Sequence, residues 1–456
     1  MRPVMVLGCT SDAGKSLVAT ALCRWFARQG VRVAPFKAQN MSNNARVVGS
    51  HGDAPGGEIG VAQWLQAKAA GVEPDVRMNP VLVKPEADTR SQVVVRGVVD
   101  REISRLPWDD RHDALWEAMR DSYDHLSAEY DLIILEGAGS PAEINLRDQV
   151  NNRMIEYVDA AGCLLSDIDR GGSFAHLYGT WALVPDATRD RLAGFVLNRF
   201  RGDASLLSPG PERLSDMTGM TYGGAIPMLR HDLPREEGAT IESSAPAGAP
   251  RVLLPRFPFG SNLDEFHLLA TAAAIGWETS PAAFADLDAD RDLIILPGSK
   301  HVFSDLDWMR TNGIAEAIVA AIARGVRCVG VCGGAMMLGQ SIDDPHGVES
   351  DMPSKRPGLA VLDHETVMGA TKITTRTDIT VFGQTYAGYE IRYGELAPLI
   401  EDNNVLATTL HGLFEHPDFV ERLLGVSVAP VLDKTFDLLA DTIDKHLDTT
   451  WLRSLL

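Results

Sequence analysis

Gly8-Cys-Thr-Ser-Asp-Ala-Gly-Lys-Ser16 decides the first half of the chain. An apolar run, Pro3 to Leu7, precedes it and predicts a buried strand. An amphipathic run, Leu17 to Arg28, follows it and predicts a helix. Strand, Gly-rich turn, Gly-Lys-Ser and helix form a phosphate-binding loop. Gly8 and Gly14 let backbone N–H groups turn onto phosphate oxygens, with Ser11 and Asp12 on the loop between them. The helix N-terminus adds partial positive charge. Lys15 is expected on the β/γ-phosphates and the Ser16 hydroxyl on Mg2+. A Gly-rich strand-to-helix turn without a ligand is the plain alternative.

Outward from the loop, strands alternate with helices, and polar residues gather where strands end. Val31–Phe36 predicts a second strand ending at Lys37, a second cation for the transferred phosphate or simply a surface lysine. Gln39-Asn-Met-Ser-Asn-Asn44 reads as a polar turn on a ligand crevice. Asp131–Leu135 is a buried strand ending at Glu136, an expected second Mg2+ anchor. Gly162–Ser166 leads to Asp167-Ile-Asp-Arg-Gly-Gly172, and Gly194–Leu197 to Asn198. This alternation predicts a mostly parallel α/β sheet.

The 456 residues are too many for one small core. Around Glu236-Glu237 the composition turns to Ala, Gly, Ser and Pro, which predicts a linker over 231–249 between domains at 1–230 and 250–456. The net charge of −20 argues against a nucleic-acid backbone as partner. No apolar run reaches the ~18 residues a membrane span needs. The five cysteines lack paired metal-ligand spacing, and the N-terminus enters a strand directly without a signal peptide. A reducing cytoplasm is the expected compartment.

In the second part, Val326–Val331 predicts a strand that ends in Cys332-Gly-Gly334 before a helical segment. A cysteine on such a turn is a nucleophile at an elbow, although buried cysteines are commonly small hydrophobes. Gly333 N–H is a natural oxyanion donor, and Gly298 in Pro297-Gly-Ser299 sits on a neighbouring strand end. The base is sought among His301, His346, His364, His411 and His416. Only His411 follows an apolar run, Val405–Leu410, and precedes Gly412-Leu-Phe414. A helix is expected from Glu265 to Ala274.

These residues carry a resemblance to the cobyric acid synthases, glutamine-hydrolysing amidases of cobalamin biosynthesis. Five residues separate Gly8 from Gly14, a longer loop that resembles dethiobiotin synthetase and the corrinoid amidases. The resemblance rests on Ser11–Ser16, Pro35-Phe-Lys-Ala-Gln-Asn-Met41, Met78-Asn-Pro80, Glu136-Gly-Ala-Gly-Ser-Pro-Ala-Glu-Ile-Asn145 and Phe200-Arg-Gly-Asp203. It continues in Leu296-Pro-Gly-Ser-Lys300, Cys332-Gly-Gly334, Gly388-Tyr-Glu-Ile391 and His411-Gly-Leu-Phe414. It implies a P-loop NTPase-like domain followed by a class I glutamine amidotransferase-like domain. It further implies ATP, Mg2+, glutamine and a corrinoid, adenosylcobyrinic acid a,c-diamide, with Asn198 near the adenine and Cys332 and His411 acting as a dyad.

Some positions depart from the family pattern. Ala335 and Met336 stand where an aromatic residue and Gln are usual. Arg392 replaces a His and Val61 an Arg; Leu413, where full triads place Glu, matches the dyad pattern of the family. Three alternatives stay open: an ammonia-dependent synthetase with a structural second domain, the a,c-diamide-forming amidase, and a nucleotide switch with no use for Cys332 or His411.

Overall fold

The computed structural model describes residues 1–456 except 53–54, 88–89, 146–147, 235–240, 242 and 351. Most of the acidic part of the expected linker, Glu236-Glu237 included, lies outside the described residues.

Six strands build the first sheet: β1 (Val4–Gly8), β2 (Val33–Phe36), β3 (Leu132–Glu136), β4 (Ala161–Asp167), β5 (Leu192–Phe200) and β6 (Thr221–Pro227). They run parallel in the order β6-β5-β4-β1-β3-β2. Met5 and Leu7 of β1 enter one core while Val4 and Val6 enter the other. That two-sided burial is why the run reads as continuously apolar. From β1 the chain fills one side with β2 and β3 and the other with β4 to β6, so a crevice opens at the carboxyl end of β1. Helix α1 (Lys15–Ala27) starts there.

Between β2 and β3 the chain adds two small β pieces, one antiparallel and one mixed. One is a hairpin of Ala45–Val48 with Gly57–Gly60. The other is a sheet of Gln39–Met41, Val81–Ala87, Arg90–Val95 and Val98–Asp100. The amide-rich stretch after Lys37 thus enters a short strand, paired with Val81–Val83, before it turns.

The second sheet contains β7 (Arg251–Pro255), β8 (Ala274–Glu278), β9 (Leu293–Leu296), β10 (Arg327–Val331), β11 (Leu399–Asp402) and β12 (Val405–Thr408). Its order is β8-β7-β9-β10-β12-β11, parallel except for the β11–β12 pair. Helix α2 (Gly333–Leu338) follows β10. A long antiparallel hairpin, Glu365–Val381 with Gln384–Glu395, extends from this unit.

The helix expected over Glu265–Ala274 is not continuous. A 3-10 turn at Leu263–Phe266 and one α-turn at Leu269–Ala272 precede β8. Ala273 is extended (φ −135°), and the chain passes into Ala274–Glu278, which pairs with β7.

The C-terminal helices differ from the expected extent of the second domain. Helices α3 (Leu432–His446) and α4 (Thr449–Ser454) pack on α1, not on the second sheet. Phe436, Leu439, Ile443 and Trp451 share a core with Val18, Leu22, Trp25 and Phe26. Arg24 pairs with Asp437 at 2.8 Å, and Trp25 Nε1 donates to Asp444 at 2.6 Å. The amphipathic face of α3 covers the side of α1 that turns away from β1, which an isolated nucleotide domain would leave open. All five cysteines are free and buried. Among the described residues no helix is long and apolar enough to cross a membrane.

Leu439→Ala leaves a cavity under α1 and is expected to cost about 2–5 kcal/mol. Hydrogen exchange should then accelerate in α1 and β1 while β9 and β10 keep their protection. Unchanged exchange in α1 would show that α3 does not support it.

Candidate functional site

At the end of β1 the loop closes on itself. Gly14 caps α1 with φ +95°, and a Cβ there would stand 2.0 Å from Asn198 Nδ2. Only glycine satisfies both the dihedral and the contact. Asn198, at the end of β5, donates to Ala13 O at 2.9 Å. Ser11 and Asp12 lie on the exposed tip. Asp12 is paired with Arg199 (2.9 Å) and Arg170 (3.0 Å), which latch the tip to the ends of β5 and β4. Lys15 is buried, and its Nζ reaches Gly139 O at 3.0 Å across the crevice.

Glu136, at the end of β3, is the electrostatic centre of this site. Its carboxylate accepts from Ser16 Oγ (2.8 Å), Lys37 Nζ (2.9 Å) and Gln66 Nε2 (2.5 Å). Burial pushes its pKa up, but the Lys37 charge and these hydrogen bonds outweigh burial and hold it below the usual value. Ser16 Oγ, the Glu136 carboxylate and the unpartnered, buried Gln66 Oε1 are hard oxygen donors of the kind Mg2+ takes. Among the described residues no group of three or more His, Cys, Asp or Glu could hold a metal by itself.

The second constellation forms at the ends of β10 and β12. Cys332 takes φ +50°, ψ −107° as the N-cap of α2, a strained conformation for a residue with a Cβ. Its N–H is anchored on Thr408 O at 2.7 Å. His411 is buried beside Cys332, whose thiol donates to Ile391 O at 3.5 Å. A Cβ at Gly298 would stand 3.0 Å from His411 Cε1, and one at Gly333 2.8 Å from Ser299 N. Both expected oxyanion donors therefore lie against this pair.

Glu265 supplies what the dyad lacks. Its Oε1 lies 2.8 Å from His411 Nδ1, and its Oε2 accepts from Gly412 N at 2.9 Å. The Tyr389 ring stacks on the imidazole, with centroids 5.3 Å apart and planes at 18°. Burial lowers the His411 pKa, yet Glu265 and the Cys332 sulfur raise it more, to about 10. A carboxylate on Nδ1 with the Cys332 thiol beside the ring is the arrangement of a nucleophile–base–orienter triad. The sequence pattern pointed to a two-residue arrangement because the position two after His411 is Leu413; the carboxylate comes instead from Glu265, within the 3-10 turn Leu263–Phe266.

Residues 4–237 match the CobQ/CobB/MinD/ParA nucleotide binding domain, and residues 251–399 match the CobB/CobQ-like glutamine amidotransferase domain. The chain is 48% identical to the cobyric acid synthase of Variovorax paradoxus (strain S110), over 100% of this chain and 99% of that protein. It is 47% identical to that of Paracidovorax citrulli (strain AAC00-1), over 99% and 98%. Against that of Deinococcus radiodurans it is 45% identical, over 99% and 100%. The chain belongs to the cobyric acid synthase family. It is an ATP-using, glutamine-hydrolysing ligase of cobalamin biosynthesis.

In this cobyric acid synthase family member, Cys332 and His411 open on a cavity of about 150 Å3. Met336, in the place of the usual Gln, lines it and packs its sulfur over Gly394. Arg392, in the place of the usual His, also lines it and pairs with Glu390 at 3.1 Å. Of the other histidines only His301 lines the cavity, where its Nδ1 lies 3.4 Å from Glu349. The nucleotide-binding unit contributes Asn43, Lys84 and Gln92 to the same wall. Lys84 pairs with Glu58, which also takes Lys372 of the long hairpin at 2.6 Å, so a buried carboxylate ties the two units together beside the cavity. Burial pushes the Glu58 pKa up, but the two lysines outweigh it and hold it low.

Gly14→Ala is expected to weaken ATP binding by about tenfold or more in calorimetry, since the new Cβ must displace either the loop or Asn198. Unchanged affinity would remove this loop from the nucleotide site.

Proposed function

We propose that the chain amidates the b, d, e and g carboxylates of adenosylcobyrinic acid a,c-diamide in turn, giving adenosylcobyric acid. The observation that supports it is the presence, in one chain, of the Lys15–Ser16–Glu136 phosphate site and the Cys332–His411–Glu265 relay. We place the reaction in the cytoplasm, where five free thiols persist.

A carboxylate is a poor electrophile toward ammonia, so activation comes first. A corrinoid carboxylate oxygen takes the γ-phosphoryl group of ATP, forming an acyl phosphate and releasing ADP. Lys15 and Lys37 neutralise charge on the transferred group, and the family resemblance implies that Asn198 lies near the adenine. Ser16 and Glu136 would hold Mg2+, which would supply positive charge against the β/γ-phosphates.

In the second unit the Cys332 thiolate attacks the side-chain amide carbon of glutamine. Gly333 N–H and Gly298 N–H face the developing oxyanion. His411, an imidazolium at neutral pH because its pKa is raised to about 10, protonates the leaving ammonia. Water then hydrolyses the thioester to glutamate, with His411 taking the water's proton. Ammonia attacks the acyl phosphate carbon, and inorganic phosphate leaves. Glu265 keeps the imidazole in the tautomer and orientation that both steps need.

Met336 favours one variant reading, in which ammonia is taken from solution and the second unit is structural. Amidation assayed with glutamine or with ammonium separates the two. Cys332→Ala should abolish glutamine-driven amidation and leave ammonium-driven amidation intact. A parent protein that uses only ammonium would establish the variant reading. A protein that binds ATP but amidates with neither source would overturn the corrinoid assignment.

Glu265→Gln should lower the glutaminase kcat by about 10²–10⁴-fold. It should also move the His411 titration, read by NMR, from about 10 toward the ordinary value near 6.5. The linkage has a definite sign. The folded value lies above the unfolded one, so this pair stabilises fully below about pH 6.5, and its contribution is lost as pH rises through about 10. Glu265→Gln should therefore cost stability at pH 6 and progressively less toward pH 10; an equal loss at both would contradict the pairing.

A further inference from the structure

We propose that Arg46, carried by the nucleotide-binding unit, is a positioning residue for the glutaminase relay of the other unit. The inference rests on reading Cys332–His411–Glu265 as that relay. Arg46 lies in the strand Ala45–Val48 and is 3% exposed. Its guanidinium donates to Tyr389 Oη at 2.7 Å, to Glu415 Oε1 at 2.5 Å and to Asp264. The guanidinium carbon also lies 5.4 Å from the Tyr389 ring centroid.

Each of these partners bears on His411. Tyr389 stacks on the imidazole and exchanges backbone hydrogen bonds with His411 (2.8 and 3.2 Å). Asp264 is the residue before Glu265, which holds Nδ1. Glu415 accepts no proton from His411 but ends the 3-10 turn that follows it, Leu413–Glu415. Neighbouring bonds set the register: Ala45 N donates to Asn262 Oδ1 at 3.0 Å, and Leu263 N donates to Asn44 Oδ1 at 3.3 Å.

The chemistry calls for arginine in particular. Asp264 and Glu265 are buried with the partly exposed Glu415 beside them, and loss of hydration raises the pKa of Asp264 and Glu415. A planar fork with a permanent charge reaches three acceptors at once, which a lysine ammonium matches in charge but not in geometry. With Arg46 in place, the stacking face and the carboxylate that fix the imidazole are held from the side of the ATP-binding unit. Glutamine hydrolysis is thereby tied to the docked arrangement of the two units.

The test uses the full-length chain with Arg46→Ala, Arg46→Lys and, in parallel, Cys332→Ala. Glutamine hydrolysis and ammonium-driven amidation are both measured. Arg46→Ala should lower the glutaminase kcat by about 100-fold, the scale of a relay displaced by about 1 Å, with a much smaller change in KM. Ammonium-driven amidation reports whether the protein is folded and should fall by less than about threefold. Arg46→Lys should recover at least about tenfold of the lost kcat. An unchanged glutaminase kcat in Arg46→Ala, or parallel loss of both activities in Arg46→Lys, would overturn the proposal. Glutamine hydrolysis that survives Cys332→Ala would overturn the underlying reading of the relay, so the two failures are distinct.

Discussion

A parallel strand that hands over to a helix must reverse direction within a few residues, and both sites in this chain are built on that constraint. At the end of β1 the reversal is made by Gly14 at φ +95°, pressed against Asn198. At the end of β10 it is made by Cys332 itself at φ +50°, with glycines following. In each case the turn leaves backbone N–H groups unpaired at a helix N-terminus, where an anion is stabilised. In the first unit that anion is a phosphate. In the second it is the oxyanion that forms at an amide carbon. One structural device thus serves two chemistries, distinguished only by which side chains stand at the neighbouring strand ends.

Those side chains carry charge into places that exclude water, and each charge is answered. Glu136 is held ionised by Lys37 and by hydrogen bonds from Ser16 and Gln66. Glu265 and His411 form a buried pair at 2.8 Å. Lys84 and Lys372 share Glu58 across the joint between units. Breaking such a pair leaves an uncompensated buried charge, which is more costly than never having had the pair. That asymmetry keeps the active-site geometry fixed although each isolated ion pair contributes little net stability.

The frame was legible because its signals are local. Buried parallel strands such as Val4–Leu7 and Leu132–Leu135 read as unbroken apolar runs, and the Gly-Lys-Ser and Cys-Gly-Gly turns announce the strand ends. Glu265 was not legible as a partner of His411. It lies 146 positions away in a stretch whose apolar spacing suggested a helix, and only the pairing of β8 with β7 converts that stretch to a turn and strand. Arg46 was missed for a related reason. An arginine in Asn-Asn-Ala-Arg-Val-Val looks like an ordinary surface residue until the other unit covers it. The return of α3 to α1 likewise depends on a surface that exists only after the first sheet has formed.

The position of the cavity carries the last step of the synthesis. Ammonia released into water near neutral pH takes up a proton and loses its nucleophilic lone pair, so an acyl phosphate is best served by ammonia that meets little bulk solvent. Here the Cys332 sulfur opens on a cavity whose wall includes Asn43, Lys84 and Gln92 of the nucleotide-binding unit. Lys84 is buried, and burial pulls its pKa down to about 8 despite the neighbouring Glu58. Lys84, Lys300 and Lys372 in that wall are each committed to carboxylate or amide partners. The same contacts that join the two units therefore also line the cavity on which Cys332 opens.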